Sequence, residues 1–135
     1  MIHIYTDGSC LKNPNGPGGW AFYSTLKQGS GGERSTTNNR MEIIAVIEAL
    51  KEHTKEVEEN KEVKFTIYSD SQYVINCATG KFKRHKNLDL WKEYEDALKG
   101  KNVSFVWVRG HDGNEMNEKV DFLARSEARK WEFKK

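Results

Sequence analysis

Long hydrophobic runs are missing from this sequence. No stretch approaches the roughly 20 apolar residues of a membrane span, which excludes a helical membrane protein. Cysteine is scarce as well. Cys10 and Cys77, the only two, have neither the density of a disulfide framework nor zinc-ligand spacing. An intracellular, reducing compartment, the cytoplasm, is therefore expected. A leader with an apolar core is also missing, because Met1 runs almost directly into a strand pattern, as expected of a complete small protein. Charge of one sign is nearly balanced by the other. A net charge of +2 is too small to announce a polyanionic partner by itself. What remains is 135 residues, 36% hydrophobic and 31% charged, the composition of a globular chain with one real core. One domain over residues 1–135 is expected, with no internal repeat, linker or low-complexity segment.

The order of elements follows from periodicity and punctuation. Residues 2–7 alternate as a strand, Asn13 to Gly19 (NPNGPGG) is a turn cluster, and Trp20 to Leu26 reads as a second strand. Gly29 to Gly32 reads as another turn and Glu33 to Thr37 as a third strand, giving an antiparallel meander. A helix then opens at Asn39 and runs to about His53, burying Met41, Ile43, Ile44, Val46, Ile47 and Leu50. Lys51 to Glu62 reads as a solvated helix end and loop. Val63 to Ser69 is a strand, Ser71 to Ala78 a short helix stopped by Gly80, and Leu88 to Leu98 a helix ended by Gly100. Val103 to Val108 is the last strand, and Glu115 to about Lys130 the last helix. The order βββαβααβα predicts an α/β fold: a mixed five-stranded sheet, three antiparallel strands then parallel strands, flanked by helices.

Four acidic residues sit where a carboxylate is expensive. Asp7 and Asp70 close strand patterns, while Glu42 and Asp121 are embedded in the apolar parts of helical ones. Each has a local explanation. Asp7-Gly8 is a turn dipeptide, Asn39-x-x-Glu42 fits a capping box, Asp70 suits the cap of the following helix, and Asp121 can pair with Arg125 at i,i+4. Each such explanation covers one residue only. If the elements converge, the four form one cluster. Two like charges about 4 Å apart repel by roughly 4 kcal/mol at an effective dielectric near 20, so such a cluster calls for a hard cation, with Mg²⁺ the natural resident. Asp121 shares its stripe with Asn117, Ala124 and Ala128, small residues that predict close packing on the sheet.

Five blocks then carry a resemblance. Thr6-Asp7-Gly8-Ser9-Cys10, Thr36-Thr37-Asn38-Asn39-Arg40-Met41-Glu42, Tyr68-Ser69-Asp70-Ser71-Gln72-Tyr73-Val74, Val108-Arg109-Gly110-His111 and Asn117-Glu118-Lys119-Val120-Asp121-Phe122-Leu123-Ala124 together resemble type 1 ribonuclease H. The likeness spans residues 2 to about 128 in the family's order and spacing, and is to the form without the basic protrusion. It implies a ribonuclease H-like fold and a metal-dependent endonuclease that hydrolyses the RNA strand of RNA–DNA hybrids, leaving 5′-phosphate and 3′-hydroxyl ends. It also implies two Mg²⁺ ions per active site, with Mn²⁺ an expected substitute. Asp7 would bridge both ions, Glu42 and Asp70 would hold the ion near the leaving group, and Asp121 the ion that activates water. His111 matches a mobile histidine linked to proton transfer, and Glu118 a position linked to metal exchange and product departure.

The resemblance also assigns substrate contacts. Distinguishing RNA from DNA requires contact with the 2′-hydroxyl, a task suited to neutral amides. Asn13, Asn38, Asn39 and Gln72 match positions near the hybrid's minor groove, and Tyr73 lies where an aromatic lines the DNA channel. Thr37 and Asn87 match a pocket for a DNA-strand phosphate. Two departures are visible. Ser35 stands where that pocket often has an arginine, with Arg34 pointing to the opposite strand face. Gly80 to Asn87 bridges the gap that a basic protrusion fills in some relatives, leaving Lys81, Lys83, Arg84 and Lys86 as a partial substitute. Modest, salt-sensitive affinity is expected. The partners expected are an RNA–DNA hybrid and no membrane, with the chain a monomer. A hybrid-binding module that has lost catalysis would lack a carboxylate, and none is missing. The nuclease domain of a reverse transcriptase is a further alternative.

Overall fold

The computed structural model describes residues 1–110 and 114–132. Five strands, β1 (Ile2–Cys10), β2 (Gly16–Ser24), β3 (Gln28–Thr36), β4 (Lys64–Ser69) and β5 (Asn102–Trp107), form one sheet in the order β3-β2-β1-β4-β5. β1 pairs antiparallel with β2, and β2 with β3, while β1–β4 and β4–β5 are parallel. The mixed sheet expected from the sequence is therefore present. Parallel pairing requires crossovers, and these are helical: α1 (Asn38–Glu52) and α2 (Thr54–Glu59) before β4, then α3 (Gln72–Ala78) and α4 (Leu88–Leu98) before β5. The last helix is α5 (Glu115–Glu132).

The two sheet faces carry different helices because side chains alternate along each strand. Phe22 on β2 joins Ile4, Phe65 and Ile67 in the main core, with Ile43, Val46, Ile47 and Leu50 of α1 and Leu90, Trp91 and Tyr94 of α4. Gly19 and Tyr23 point to the other face, where α5 lies across β1, β2 and β3. A Cβ on Gly19 would stand 2.6 Å from the Ala128 nitrogen, so the absent side chain and the small residues of α5 together permit that close approach. The predicted stripe holds, since Asn117, Ala124 and Ala128 are all buried.

Two expectations are corrected and one open alternative is closed. Gly29 to Gly32 is not a turn but part of the first half of β3. Its glycines are there to clear aromatic rings: a Cβ on Gly29 would lie 2.6 Å from the Phe22 ring and one on Gly31 2.5 Å from the Trp20 ring. The segment read as loop after His53 contains α2, which buries no residue and so left no apolar period to read. The capping box at Asn39 is absent as well. Thr37 is the N-cap of α1, accepting the Arg40 N–H at 3.2 Å, and Glu42 is thereby released from capping.

Candidate active site

Gly8 explains how a helix on one side reaches an acid on the central strand. A Cβ there would collide with the backbone of Met41 and Glu42, so only glycine lets the first turns of α1 rest on β1. Asp70 arrives beside Asp7 because β4 runs parallel to β1 in a register that pairs Tyr5 with Tyr68, and each acid follows two residues later. Its alternative role as a cap is also excluded, because Ser71 caps α3 by accepting the Val74 N–H at 3.1 Å. One carboxylate oxygen each from Asp7, Glu42 and Asp70 lies within 4.8 Å of the other two.

The electrostatic cost of this arrangement is legible in the proton affinities. Asp7 is pushed up to about 8, first by burial and then by the charge of Asp70, with Asp121 adding to the rise. Glu42 is raised well above its ordinary value by burial and by the charges of Asp7 and Asp70. Its Oε1 is sealed from solvent with no hydrogen-bond partner among the described residues. Asp121, on α5, is partly buried. It lies near enough to Asp7 to raise that residue's proton affinity, and its Oδ2 pairs with Arg125 at 3.0 Å. The i,i+4 pairing with Arg125 expected from the sequence is therefore present. Oxygen donors converging at this spacing, one of them orphaned and buried, suit a hard divalent cation.

Beside the acids lies a recess of about 390 Å³ lined by Asn13, Pro14, Thr37, Asn38, Asn39, Lys86 and Asn87. Five of the seven predicted substrate contacts therefore share one cavity. The Asn13 side chain accepts the Asn38 N–H at 3.1 Å and so joins the β1–β2 turn to the start of α1. Asn87 sits at φ 59°, in the left-handed region that asparagine tolerates better than most residues. Its amide donates to the Tyr73 hydroxyl at 3.0 Å, which places Tyr73 behind the recess. Gln72 stands apart, lining a different recess with Trp107. Glu118 is exposed in the first turn of α5. His111 lies outside the described residues.

The profile of the RNase H family matches residues 1–129. The chain belongs to the RNase H family. It is 44% identical to a ribonuclease H of Helicobacter acinonychis, over 96% of this chain and 94% of the relative. To one of Campylobacter jejuni it is 42% identical, over 96% and 92%. Among solved structures, LC11-RNase H1 in complex with RNA/DNA hybrid shares the fold with TM-score 0.84, at 23% identity over 96% of this chain and 98% of that one.

Against the RNase H frame, one residue escaped the sequence reading. Arg40 on α1 donates to Oδ1 of Asn87, a residue lining the recess, at 3.3 Å, so a guanidinium is close by although Ser35 occupies the expected arginine position. Ser35 instead donates to the Asn15 carbonyl at 3.2 Å. The available signal was Arg40's place one turn beyond Thr37. Conversely, Arg84 is not part of a free basic surface. It lies over the Trp91 ring at 4.7 Å, pairs with Glu95 at 2.9 Å and donates to the Cys77 carbonyl at 2.9 Å, pinning the 80–87 loop to α3 and α4.

Proposed function

We propose that the chain is an endonuclease that hydrolyses the RNA strand of RNA–DNA hybrids with two Mg²⁺ ions, leaving 5′-phosphate and 3′-hydroxyl ends. The observation that carries this reading is the Asp7–Glu42–Asp70 cluster, with Asp121 against it, beside an amide-lined recess. Its similarity to enzymes named ribonuclease H, and the hybrid bound to LC11-RNase H1, supply the substrate class. Residues 1–135 would act as one domain, as a monomer in the cytoplasm, and Mn²⁺ would replace Mg²⁺.

The chain's own groups divide the work. Asp7, whose proton affinity answers to Glu42, Asp70 and Asp121 alike, would be shared by both ions; Glu42 and Asp70 would hold the one toward the leaving group, Asp121 the other. Bound there, the ions supply Lewis-acid stabilisation of the attacking and leaving oxygens of an in-line displacement. Asn13, Asn38 and Asn39 offer donors and acceptors together, as recognition of a 2′-hydroxyl requires. Gln72 would add a further amide from α3, with Tyr73 supporting the DNA side. Thr37, Asn87, Lys86 and Arg40 form a polar, cationic corner that suits a DNA-strand phosphate. His111 would move a proton near the reacting phosphate, and Glu118 would assist departure of product.

The deciding assay incubates labelled hybrid, double-stranded RNA and single-stranded RNA with Mg²⁺ and either the wild type or Asp7→Asn. Cleavage of hybrid alone, by the wild type alone, is expected. Equal cleavage of all three substrates would remove the hybrid reading, and cleavage surviving in Asp7→Asn would remove the assigned site.

A further inference from the structure

A second recess lies on another face of α3, and the function above uses only Gln72 of its lining residues. Val103, Phe105 and Trp107 share one face of β5, the strand at the sheet's edge. Val103 and Phe105 pack on the core, but Trp107 stands past its end, 43% exposed. Its ring is tethered, because the indole N–H donates to the Asp70 carbonyl at 3.2 Å. Opposite it, Gln72, Ile75 and Asn76 occupy one face of α3 at the spacing of neighbouring turns, and Lys81 closes the far end. Together these five residues line a volume of about 360 Å³. Lys81 is held in place by its loop. The next residue, Phe82, donates its N–H to the Asn76 carbonyl at 3.0 Å, and Arg84 ties the same loop to the Cys77 carbonyl.

We infer that the recess formed by Gln72, Asn76, Lys81 and Trp107 is a subsite for one unpaired nucleotide of RNA flanking the hybrid. An exposed indole held by its own N–H is a stacking platform for a base. Two amides at its side read a base edge, and an exposed ammonium at its rim meets a phosphate. The platform needs a free base face, which a base stacked within a duplex does not offer. The recess also adjoins the carboxylates through Trp107, whose indole is hydrogen-bonded to the Asp70 carbonyl, whereas the amide-lined recess is bounded by Asn87. That the strand is RNA rests on the proposed function; that a nucleotide fits rests on the recess alone.

The test uses the full chain carrying Asp7→Asn, so that RNA survives the measurement, with a short fluorescently labelled single-stranded oligoribonucleotide. RNA is expected to quench tryptophan fluorescence, and Trp107→Phe should abolish most of that quenching while keeping the anisotropy signal of binding. Trp107→Ala should weaken binding about tenfold. Lys81→Gln should reduce the slope of log affinity against log salt by about 0.7, the value for one single-strand phosphate contact. The lysine variant keeps the test decisive if the alanine variant does not fold. Quenching that persists in Trp107→Phe, or wild-type affinity and salt slope in Lys81→Gln, would overturn the assignment. Wild-type cleavage of a blunt hybrid, assayed in parallel, tests the catalytic reading separately.

Discussion

Arg40 on α1 grips Asp89 in the first turn of α4 with both arms of its guanidinium, at 3.0 and 2.8 Å. The same arginine reaches Asn87, so this pair sets the charge at the mouth of the amide-lined recess. The guanidinium holds the Asp89 carboxyl down to about 2. Because Asp89 is exposed, screening keeps the pair's stabilisation below about 1 kcal/mol.

Asp89→Asn should therefore cost little stability and change binding instead. It removes a negative charge near a predicted phosphate site and leaves Arg40 less occupied. KM for hybrid should fall about two- to threefold at low salt, with kcat unchanged and the gain fading as salt rises. Steady-state kinetics at two ionic strengths check this. A raised KM would show that Asp89 serves to aim Arg40 and Asn87.

Asp7→Asn should separate stability from activity. In EDTA it removes a buried charge crowded by Asp70 and Glu42, so the variant should unfold later than the wild type by about 1–3 kcal/mol above pH 8. The stabilisation that Mg²⁺ gives the wild type should shrink, and hybrid cleavage should fall by about a thousandfold or more. Urea melts with and without Mg²⁺ measure the first two effects. A destabilised variant in EDTA would contradict the repulsion.

Opposed pH dependences follow from Asp7 and His53. Asp7 binds its proton more tightly folded than unfolded, so the folded state holds more protons between the ordinary carboxylate value of 3.8 and about 8. Metal-free stability should accordingly fall as pH rises through that window, with Glu42 acting in the same direction. His53 does the reverse. It is fully buried between Ser24 and the Ala49 carbonyl, and burial lowers its proton affinity below 6.5, so its contribution is lost as pH drops below that value. Denaturation in EDTA across pH 5–9 should show less acid loss in His53→Gln than in the wild type. Adding Mg²⁺ near pH 7 should release about one proton, readable with an indicator dye.

Gly19→Ala should act at a distance. The new methyl meets the Ala128 nitrogen and the Glu127 Cβ, pushing α5 away from β2. A loss of about 1–3 kcal/mol is expected. Because α5 carries Asp121, kcat should fall more than KM rises. Matched stability and kinetic measurements test this; a stability loss with intact kcat would show that Asp121 tolerates the shift.

Much of this was legible in the chain because it was written in periodicity. The antiparallel-then-parallel sheet, the limits of α4 and the burial of Ala124 and Ala128 follow from alternation, helical spacing and residue size. What hid was relational. Gly29 and Gly31 have the composition of a turn, and only rings on a neighbouring strand explain them as strand residues. Arg40 looks like any solvated helix residue until α4 packs nearby and presents Asp89. The competing capping roles of Glu42 and Asp70 could not be dismissed locally either, since they vanish only once Thr37 and Ser71 are seen to perform them.

The contact at Gly8 has a design consequence. With helix and strand touching through main chain, the distance between the two innermost acids is fixed by the scaffold rather than by side-chain choice. Rotamers and neighbouring residues can then be varied to tune cation preference while the span between those anchors stays constant. The bare backbone at residue 8 serves as the ruler of the site.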